Sequence, residues 1–423
     1  MAAAPTAPPP SDTSETAYAA VYGRNAALSA AELFALSETN GFTVKALNRY
    51  AVGLSAGFDL PLADRLGGTT KVIQLEPAAA PSAEAAIHAL AGNVARPHSG
   101  KLSFGISSYG SVPATPLTGL MKKLLEKRGI KCRYMAKRAV KAGRATEADE
   151  ISAVQVKHNR LLRKGHDWCL FETANGWRYG RTVWVYDFEG FARRDYDKPV
   201  ADAKRGMLPP QLSRVMLNLG TQGREAAVCD PFCGIGGLLL ESLTLDHATY
   251  GSDLEQAAVD GAERNLEWLG KTSREPLPAW ELSVHDATAS LPPEIPAATI
   301  VTEGYLGDPL RQSSSEHDIR EQAARVGEVL KGFFKTARSS TKAGDRLVIT
   351  LPAWKLPNAG PHTNHDALLR LEPIAEFERL GYTVIRPLPQ DFPVPGVTER
   401  GSIEVARSKQ RVIHELFIFQ RTT

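Results

Sequence analysis

The stretch that decides the fold runs Ala226-Ala-Val-Cys-Asp-Pro-Phe-Cys-Gly-Ile-Gly-Gly237 and continues as Leu238-Leu-Leu-Glu-Ser-Leu-Thr-Leu245. Its first four residues are a short apolar run, which reads as a strand, and its last eight read as a helix. The turn between them carries Gly234, Gly236 and Gly237. In an open parallel sheet, ligands bind beyond the carboxyl ends of the strands, so this turn is a candidate ligand loop. Gly234 and Gly236 allow the backbone to approach a ligand closely, and Gly237 opens the helix. Downstream the pattern repeats, with strands expected at 248–252, at Val284 and at 297–301, separated by helical stretches. A helix over 211–219, opened by Pro209 and Pro210, precedes the first strand. This alternation predicts a Rossmann-like α/β domain over residues 211–423.

Each expected strand delivers an acid to the same edge. The first ends at Asp230, and the second at Asp253, followed by Leu254. The third is followed by Asp286 and Ala287. An acid at the end of the second strand can accept hydrogen bonds from two ribose hydroxyls. Asp286 is placed to meet an adenine amino group. The glycines read G-x-G-G rather than G-x-G-x-x-G, and Asp230 and Phe232 stand where a pyrophosphate would need bare backbone donors. S-adenosylmethionine has an ammonium group and no phosphate, and an acidic loop suits it. The expected cofactor-binding residues are therefore Asp230, Phe232, Cys233, Gly234, Gly236, Asp253, Leu254, Asp286 and Ala287. Singly, each acid also reads as a strand-end cap, a helix N-cap or a turn residue.

The fourth strand runs into Thr302-Glu303-Gly304-Tyr305. A methyl transfer to an exocyclic amine needs an oxygen acceptor for the N–H hydrogens, so that the nitrogen lone pair faces the methyl carbon. It also needs an aromatic ring to stack a base turned out of its helix. Glu303 and Tyr305 are the residue types required, with Thr302 and Gly304 completing the candidate catalytic set. The plain alternative is a glycine turn with a half-buried tyrosine. No metal is implied, because the sulfonium already activates the methyl group.

The chain of 423 residues is long enough for two or three domains. Its 43% hydrophobic and 23% charged residues are ordinary for a globular protein, and its net charge is only +3. Any nucleic-acid contact must therefore come from local clustering. Such a cluster lies between Met121 and Thr146: Lys122, Lys123, Lys127, Arg128, Lys131, Arg133, Lys137, Arg138, Lys141 and Arg144 stand against Glu126 alone. It reads either as a phosphate-binding stripe or as a solvated helix face followed by a basic loop, and Tyr134 adds a ring able to stack a base. Four cysteines without metal spacing, no apolar run of roughly 18 residues and no signal-peptide pattern point to a reduced, cytoplasmic setting. Residues 1–17, rich in Ala, Pro, Ser and Thr, are expected to be a disordered tail. Upstream of the Rossmann-like part, strands are expected at 18–22, 71–74 and 102–106, with a helix at 83–91. A further helix should begin with Ser29 as N-cap and Glu32 closing a capping box. These elements make an α+β region over 18–186, joined by a connector over 187–210.

With these residues laid out, the chain resembles the THUMP-domain tRNA guanine-N2 methyltransferases, typified by enzymes that modify guanosine at tRNA position ten. The resemblance rests on DPFCGIGG (Asp230 to Gly237), GMLPPQLSRVMLNL (Gly206 to Leu219) and ARRDYDKP before it. Weaker matches follow in order: GRNAALSAAEL (Gly23 to Leu33), RLGGTTK (Arg65 to Lys71), FGISSYG (Phe104 to Gly110), SAVQVKHNRLLRKG (Ser152 to Gly165) and the closing SKQRVIHELFIF. It implies a class I methyltransferase domain behind a THUMP-like RNA-binding region, S-adenosylmethionine as cofactor and tRNA as partner. In that family the N-terminal matches belong to the RNA-binding module, which strengthens the RNA reading for Lys122, Lys123, Lys127, Arg128, Lys131, Arg133, Lys137 and Arg138. The departure is at the catalytic loop, where the family has Asp-Pro-Pro-Tyr and this chain has Thr302-Glu303-Gly304-Tyr305. The acid sits one place later and both prolines are gone, which predicts a more flexible loop, with Asp308 as a substitute acid. Two other readings stay open on sequence grounds: a DNA amino-methyltransferase, and an RNA-binding protein whose loop has lost its chemistry. The sequence does not decide whether a small activating partner or a second copy is needed.

Overall fold

A computed structural model describes residues 16–95, 100–135, 149–201, 208–289, 299–311, 314–357, 368–371, 374–406 and 411–422. The chain divides into two compact units. One comprises 1–24, 40–64 and 69–187, and the other 25–39, 65–68 and 188–423. The helix α1 (Ala26–Asn40) thus falls almost wholly in the second unit, although strands on either side of it belong to the first.

The first unit is built on an eight-stranded sheet. Its strands are β1 (Thr16–Tyr22), β2 (Val44–Asn48), β3 (Ala51–Ser55), β4 (Thr69–Leu75), β5 (Leu102–Tyr109), β6 (Cys132–Tyr134), β7 (Gly165–Thr173) and β8 (Gly176–Val185), in the order β2-β3-β1-β4-β8-β7-β5-β6. All pairs are antiparallel except β5 with β6 and β5 with β7. Helices α2 (Ala83–Asn93) and α3 (Ala114–Lys127) bury Ile87, Leu90, Leu117, Met121 and Leu125 against Phe104, Trp168 and Leu170. Between strands, Lys71 Nζ lies 2.9 Å from Asp167 Oδ2, both buried, with Thr182 and Ser107 hydroxyls donating to the same carboxylate. Such a pair is stable only because every oxygen has a donor. Two short helices, α4 (Ala153–His158) and α5 (Leu161–Lys164), lead into β7.

The second unit carries a nine-stranded sheet. Its parallel core is β9 (Val228–Asp230), β10 (Thr249–Asp253), β11 (Trp280–Val284), β12 (Thr299–Glu303) and β13 (Arg346–Lys355). The strands β14 (Leu368–Arg370), β15 (Tyr382–Val384), β16 (Ile403–Val405) and β17 (Val412–Arg421) complete it, all antiparallel to their neighbours. The order β11-β10-β9-β12-β13-β17-β15 reverses direction between β9 and β12. At such a switch point the flanking loops diverge and leave a crevice above the strand ends. Helices α6 (Phe188–Tyr196), α7 (Pro210–Thr221), α8 (Gly237–Thr244), α9 (Gln256–Thr272), α10 (Glu316–Ser340) and α11 (Ile374–Arg379) accompany the sheet. Phe333 and Phe334 of α10 pack with Phe377, Tyr382, Phe417 and Phe419 in its main core.

Two N-terminal segments are locked into this unit by polar contacts. The buried Glu32 carboxylate accepts the amides of Gly67 and Gly68, each at 2.8 Å, and Asn218 Nδ2 of α7 at 2.7 Å. Burial pushes the Glu32 acid up, and the three donors oppose it. Arg65 reaches Leu245 O and His247 Nε2, each at 3.2 Å, while His247 Nδ1 lies 3.1 Å from Ala226 O.

The structure departs from the sequence reading at several places. Ser29 and Glu32 form no capping box. Asn25 Oδ1 caps α1 by accepting the Leu28 amide, and Ser29 Oγ donates to Asn25 O and Gly68 O. GRNAALSAAEL and RLGGTTK therefore contribute mainly to the second unit, because their polar groups find buried partners there, and the expected unbroken region over 18–186 is interrupted. Thr16 and Ala17, read as tail, belong to β1, while 1–15 lie outside the described residues. The connector contains the helix α6, since Phe191 is buried under the guanidinium groups of Arg194 and Arg214.

Candidate functional site

The loop after β9 is fixed by its own backbone. Gly234 and Gly236 take φ of +52° and +80°, values that favour glycine. The Gly236 amide donates to Cys233 O, and the Cys233 amide to Ser252 O. The Gly234 amide donates to Asp253 Oδ2 at 3.0 Å, and Asp253 Oδ1 accepts the Glu255 amide at 3.0 Å. The Asp253 carboxylate therefore bridges the ends of β9 and β10. A Cβ built at Gly234 or Gly237 would meet nothing within 4 Å, so this side of the loop is open. His285 donates its amide to Asp253 O, drawing the end of β11 to the same rim. There Asp286, exposed, accepts Thr288 N and Oγ1, whose hydrogen bonds hold its acid below the ordinary range.

Asp230 lies beneath this rim, 3% exposed. Burial raises its acid to about 7, against the hydrogen bonds from Thr302 Oγ1 (2.6 Å) and the Phe232 amide (3.2 Å); the nearby Asp253 raises it further. A positive charge placed near such a carboxyl favours its ionised form.

The sequence-predicted cofactor residues divide into two groups. Asp253, Leu254 (69% exposed), Asp286 and the open backbone at Gly234 face outward, while Asp230 sits just behind them. The side chains of Phe232, Cys233 and Ala287 are scaffold. Phe232 packs edge-on against Phe333 with centroids 5.1 Å apart, the Cys233 thiol is pushed up by burial, and Ala287 is buried with its carbonyl accepting Thr336 Oγ1. Gly236 fits against Ala262, whose Cβ would lie 3.2 Å from an added Cβ. Among the described residues no cluster of His, Cys, Asp and Glu could hold a metal ion.

The candidate catalytic residues straddle the end of β12, beside β9 across the switch point. Thr302 and Glu303 lie inside the strand, not in the loop, so their side chains project to opposite faces. Thr302 is fully buried with its hydroxyl on Asp230. Glu303 pairs in register with Thr350, which pairs with Leu416, and its Oε1 lies 3.4 Å from Nδ1 of His414 on β17. The Gly304 amide donates to Thr350 O, and a Cβ there would come within 2.7 Å of that oxygen. Tyr305 follows, 38% exposed, and Asp308 is exposed. The loop is not left slack by the missing prolines: Gln322 of α10 donates to Leu306 O and Asp308 O. The sequence reading gave no role to Gln322, and His414, although within SKQRVIHELFIF, was assigned no part in the site; they lie 14 and more than 100 residues from the groups they meet.

Beneath the site, Glu241 of α8 joins two arginines. Arg194 Nε lies 2.5 Å and Arg214 Nη2 2.9 Å from its carboxylate, all three buried. These arginines come from ARRDYDKP and GMLPPQLSRVMLNL, so both motifs anchor the helix that the ligand loop opens. In the other unit, Lys122, Lys123 and Lys127 lie on α3, with Arg128 capping it, Lys131 following and Arg133 in β6. Lys123, Lys127, Arg128, Lys131 and Arg133 are exposed, though Arg128 also donates to Ala91 O and Arg133 to Ser103 Oγ. Lys137 and Arg138 lie outside the described residues.

Residues 200–303 match a family profile described as UPF0020: RMKL-like, methyltransferase domain. The tRNA (guanine(10)-N2)-dimethyltransferase of Pyrococcus abyssi is 34% identical over 102 residues, covering 22% of this chain and 29% of that protein. The enzyme of the same name from Methanothermobacter thermautotrophicus is 36% identical over 70 residues, 16% of this chain and 21% of that one. The matches thus span under a third of those relatives. Among solved structures, TrmN from Thermus thermophilus superposes with a TM-score of 0.50 at 15% identity, over 96% of this chain and 99% of that one. The second unit has a Rossmann-like α/β fold, and residues 200–303 within it match the methyltransferase-domain profile. Its sequence matches are to tRNA guanine-N2 methyltransferases, the family that its motifs resemble.

Proposed function

We propose that this chain is an S-adenosylmethionine-dependent tRNA methyltransferase that acts on the exocyclic N2 of a guanosine. The observation that supports this most directly is the hydrogen bond from Thr302 to Asp230, which joins the cofactor loop to the strand carrying Glu303, Gly304 and Tyr305 at the switch point. When bound, the cofactor supplies a methyl group already activated by its sulfonium. Asp253 receives the ribose hydroxyls, Asp286 the adenine amino group, and Leu254 covers an adenine face. Asp230, ionised by the nearby positive charge, orients the cofactor loop. Tyr305 stacks the displaced guanine, and Glu303 with the Gly304 carbonyl accepts its N2 hydrogens, so that the nitrogen lone pair is directed outward. The proton leaves after transfer, with no base needed beforehand. The first unit, THUMP-like, grips the tRNA through shape and phosphates, with Lys122, Lys123, Lys127, Arg128, Lys131 and Arg133 as its cations. Four free cysteines fit the reduced cytoplasm as its setting.

The test is incubation of the full chain with unmodified tRNA transcript and methyl-labelled cofactor, followed by nucleoside mass spectrometry. N2-methylguanosine is the expected product, with kcat reduced by about 100-fold in Glu303→Ala and in Tyr305→Ala. A methylated adenosine, or no product despite cofactor and tRNA binding, would overturn the reading.

A further inference from the structure

The loop after β12 combines two features that pull against each other. It carries residues that must meet the target base to within a fraction of an ångström, and no proline stiffens it before Tyr305, the loop's proline being Pro309 beyond Asp308. Its glycines, Gly304 and Gly307, would by themselves leave it loose. Yet side chains grip it on both sides of Tyr305.

On the far side, Gln322 is 4% exposed and spends its amide nitrogen on the loop, donating to Asp308 O at 3.0 Å and Leu306 O at 3.4 Å. Gly307 takes φ +82° between those two carbonyls, and a Cβ there would fall 2.8 Å from the Gln322 Cγ and Cδ. The fit therefore requires a residue without a side chain at 307 and a flat amide at 322. Gln322 is in turn set by the start of α10, where Ser315 and Asp318 exchange backbone and side-chain hydrogen bonds at 2.8 and 3.2 Å. On the near side, His414 of β17 faces the Glu303 carboxylate at 3.4 Å. It shares that sheet face because Glu303 is registered with Thr350, and Thr350 with Leu416 two residues along.

We propose that Gln322 and His414 are positioning residues that aim Glu303 and Tyr305 at the target base, doing by tertiary contact what a proline pair does by covalent stiffness. The proposal rests on the methyltransferase reading above. Both residues act through the loop: Gln322 through its backbone carbonyls, His414 through the Glu303 carboxylate.

Full-length Gln322→Met keeps side-chain length and removes the donor. His414→Ala removes the second contact, and His414→Asn restores a nitrogen donor near the position of Nδ1. The readouts are kcat and KM on unmodified tRNA transcript, cofactor Kd by calorimetry and thermal midpoint. Misplacement of reacting groups alone predicts a kcat loss of about 30-fold for Gln322→Met and about 10-fold for His414→Ala. Cofactor Kd and tRNA KM should stay within about twofold, and His414→Asn should recover most of the His414→Ala loss. The proposal is overturned if kcat is unchanged in both variants, or if it falls only in step with lost cofactor affinity and folded protein. A wild-type chain that yields no methylated nucleoside removes the underlying reading and this role together. An active wild type with indifferent variants removes this role alone.

Discussion

The loop after β9 and the loop after β12 lie at the carboxyl ends of neighbouring strands, yet they are held by opposite means. The first is shaped by residues close in sequence: two glycines with positive φ, a turn closed from Gly236 to Cys233, and Asp253 nineteen positions on from Gly234. The second carries the backbone bond from Gly304 to Thr350 and is reached by side chains from far along the chain: Gln322, His414 at its root and Arg411 on Arg311 O. A locally encoded loop keeps a recognisable motif, because each residue's conformation is dictated by its neighbours. A loop fixed from a distance can change its own residues so long as the side chains that reach it change in concert. The motif after β9 is accordingly plain to read, and the one after β12 is altered.

The largest expected effect tests how far the first loop depends on what lies under it. Glu241→Ala leaves Arg194 and Arg214 buried without their carboxylate, at a cost of about 3–5 kcal/mol in urea unfolding. A loss under about 1 kcal/mol would show that α8, and the loop that opens it, stand without this cluster.

Next comes the acid that joins the two loops. Because the Asp230 acid is raised in the folded state, the stability that its neutral form confers is complete below the ordinary carboxylate range. It is lost as pH rises through about 7. Asp230→Asn, which keeps an oxygen for the Thr302 hydroxyl, should match wild type near pH 4. By pH 8 it should exceed wild type by as much as roughly 4 kcal/mol. Unfolding titrations at the two pH values measure this, and a gap that does not grow with pH would refute it. For the same reason, cofactor affinity of the wild type should rise between pH 6 and pH 8.

The smallest effects compare the glycines directly. Gly304→Ala must displace Thr350 O and should cost about 2 kcal/mol together with most of the activity. Gly234→Ala meets open space and pays only for the left-handed backbone, about 1 kcal/mol. The reverse order would mean that the first loop, not the second, is the tightly packed one.

The positions of β9, β10, β11 and β12 followed from the apolar runs and the acids after them, because a parallel strand and its carboxyl edge are both written in a few consecutive residues. Asp230, Gly234, Asp253 and Asp286 all appear at the expected strand ends. Other readings went astray where a pattern has two uses. Ser29 and Glu32 have the spacing of a capping box, but the pair is buried and satisfies Gly67, Gly68 and Asn218 instead. Thr302 stands where the family that the motifs resemble has its acid, yet its hydroxyl is directed to Asp230, while Glu303, one residue on, emerges on the other face. Periodicity of two makes a one-residue shift a change of side, which spacing in the sequence records without saying what waits there.

The sequence by itself determined the Rossmann-like strand–helix alternation, the glycine turn after β9 and the acids at the strand ends, since all of these depend on local backbone conformation and on which residues are apolar. Tertiary structure alone decided that α1 and residues 65–68 complete the second unit, that Arg194 and Arg214 converge on Glu241, and that Gln322 and His414 reach the loop after β12. Those pairings join groups that are far apart along the chain. A buried charge or carbonyl takes whichever partner the fold brings within about 3 Å, and no local pattern names that partner in advance.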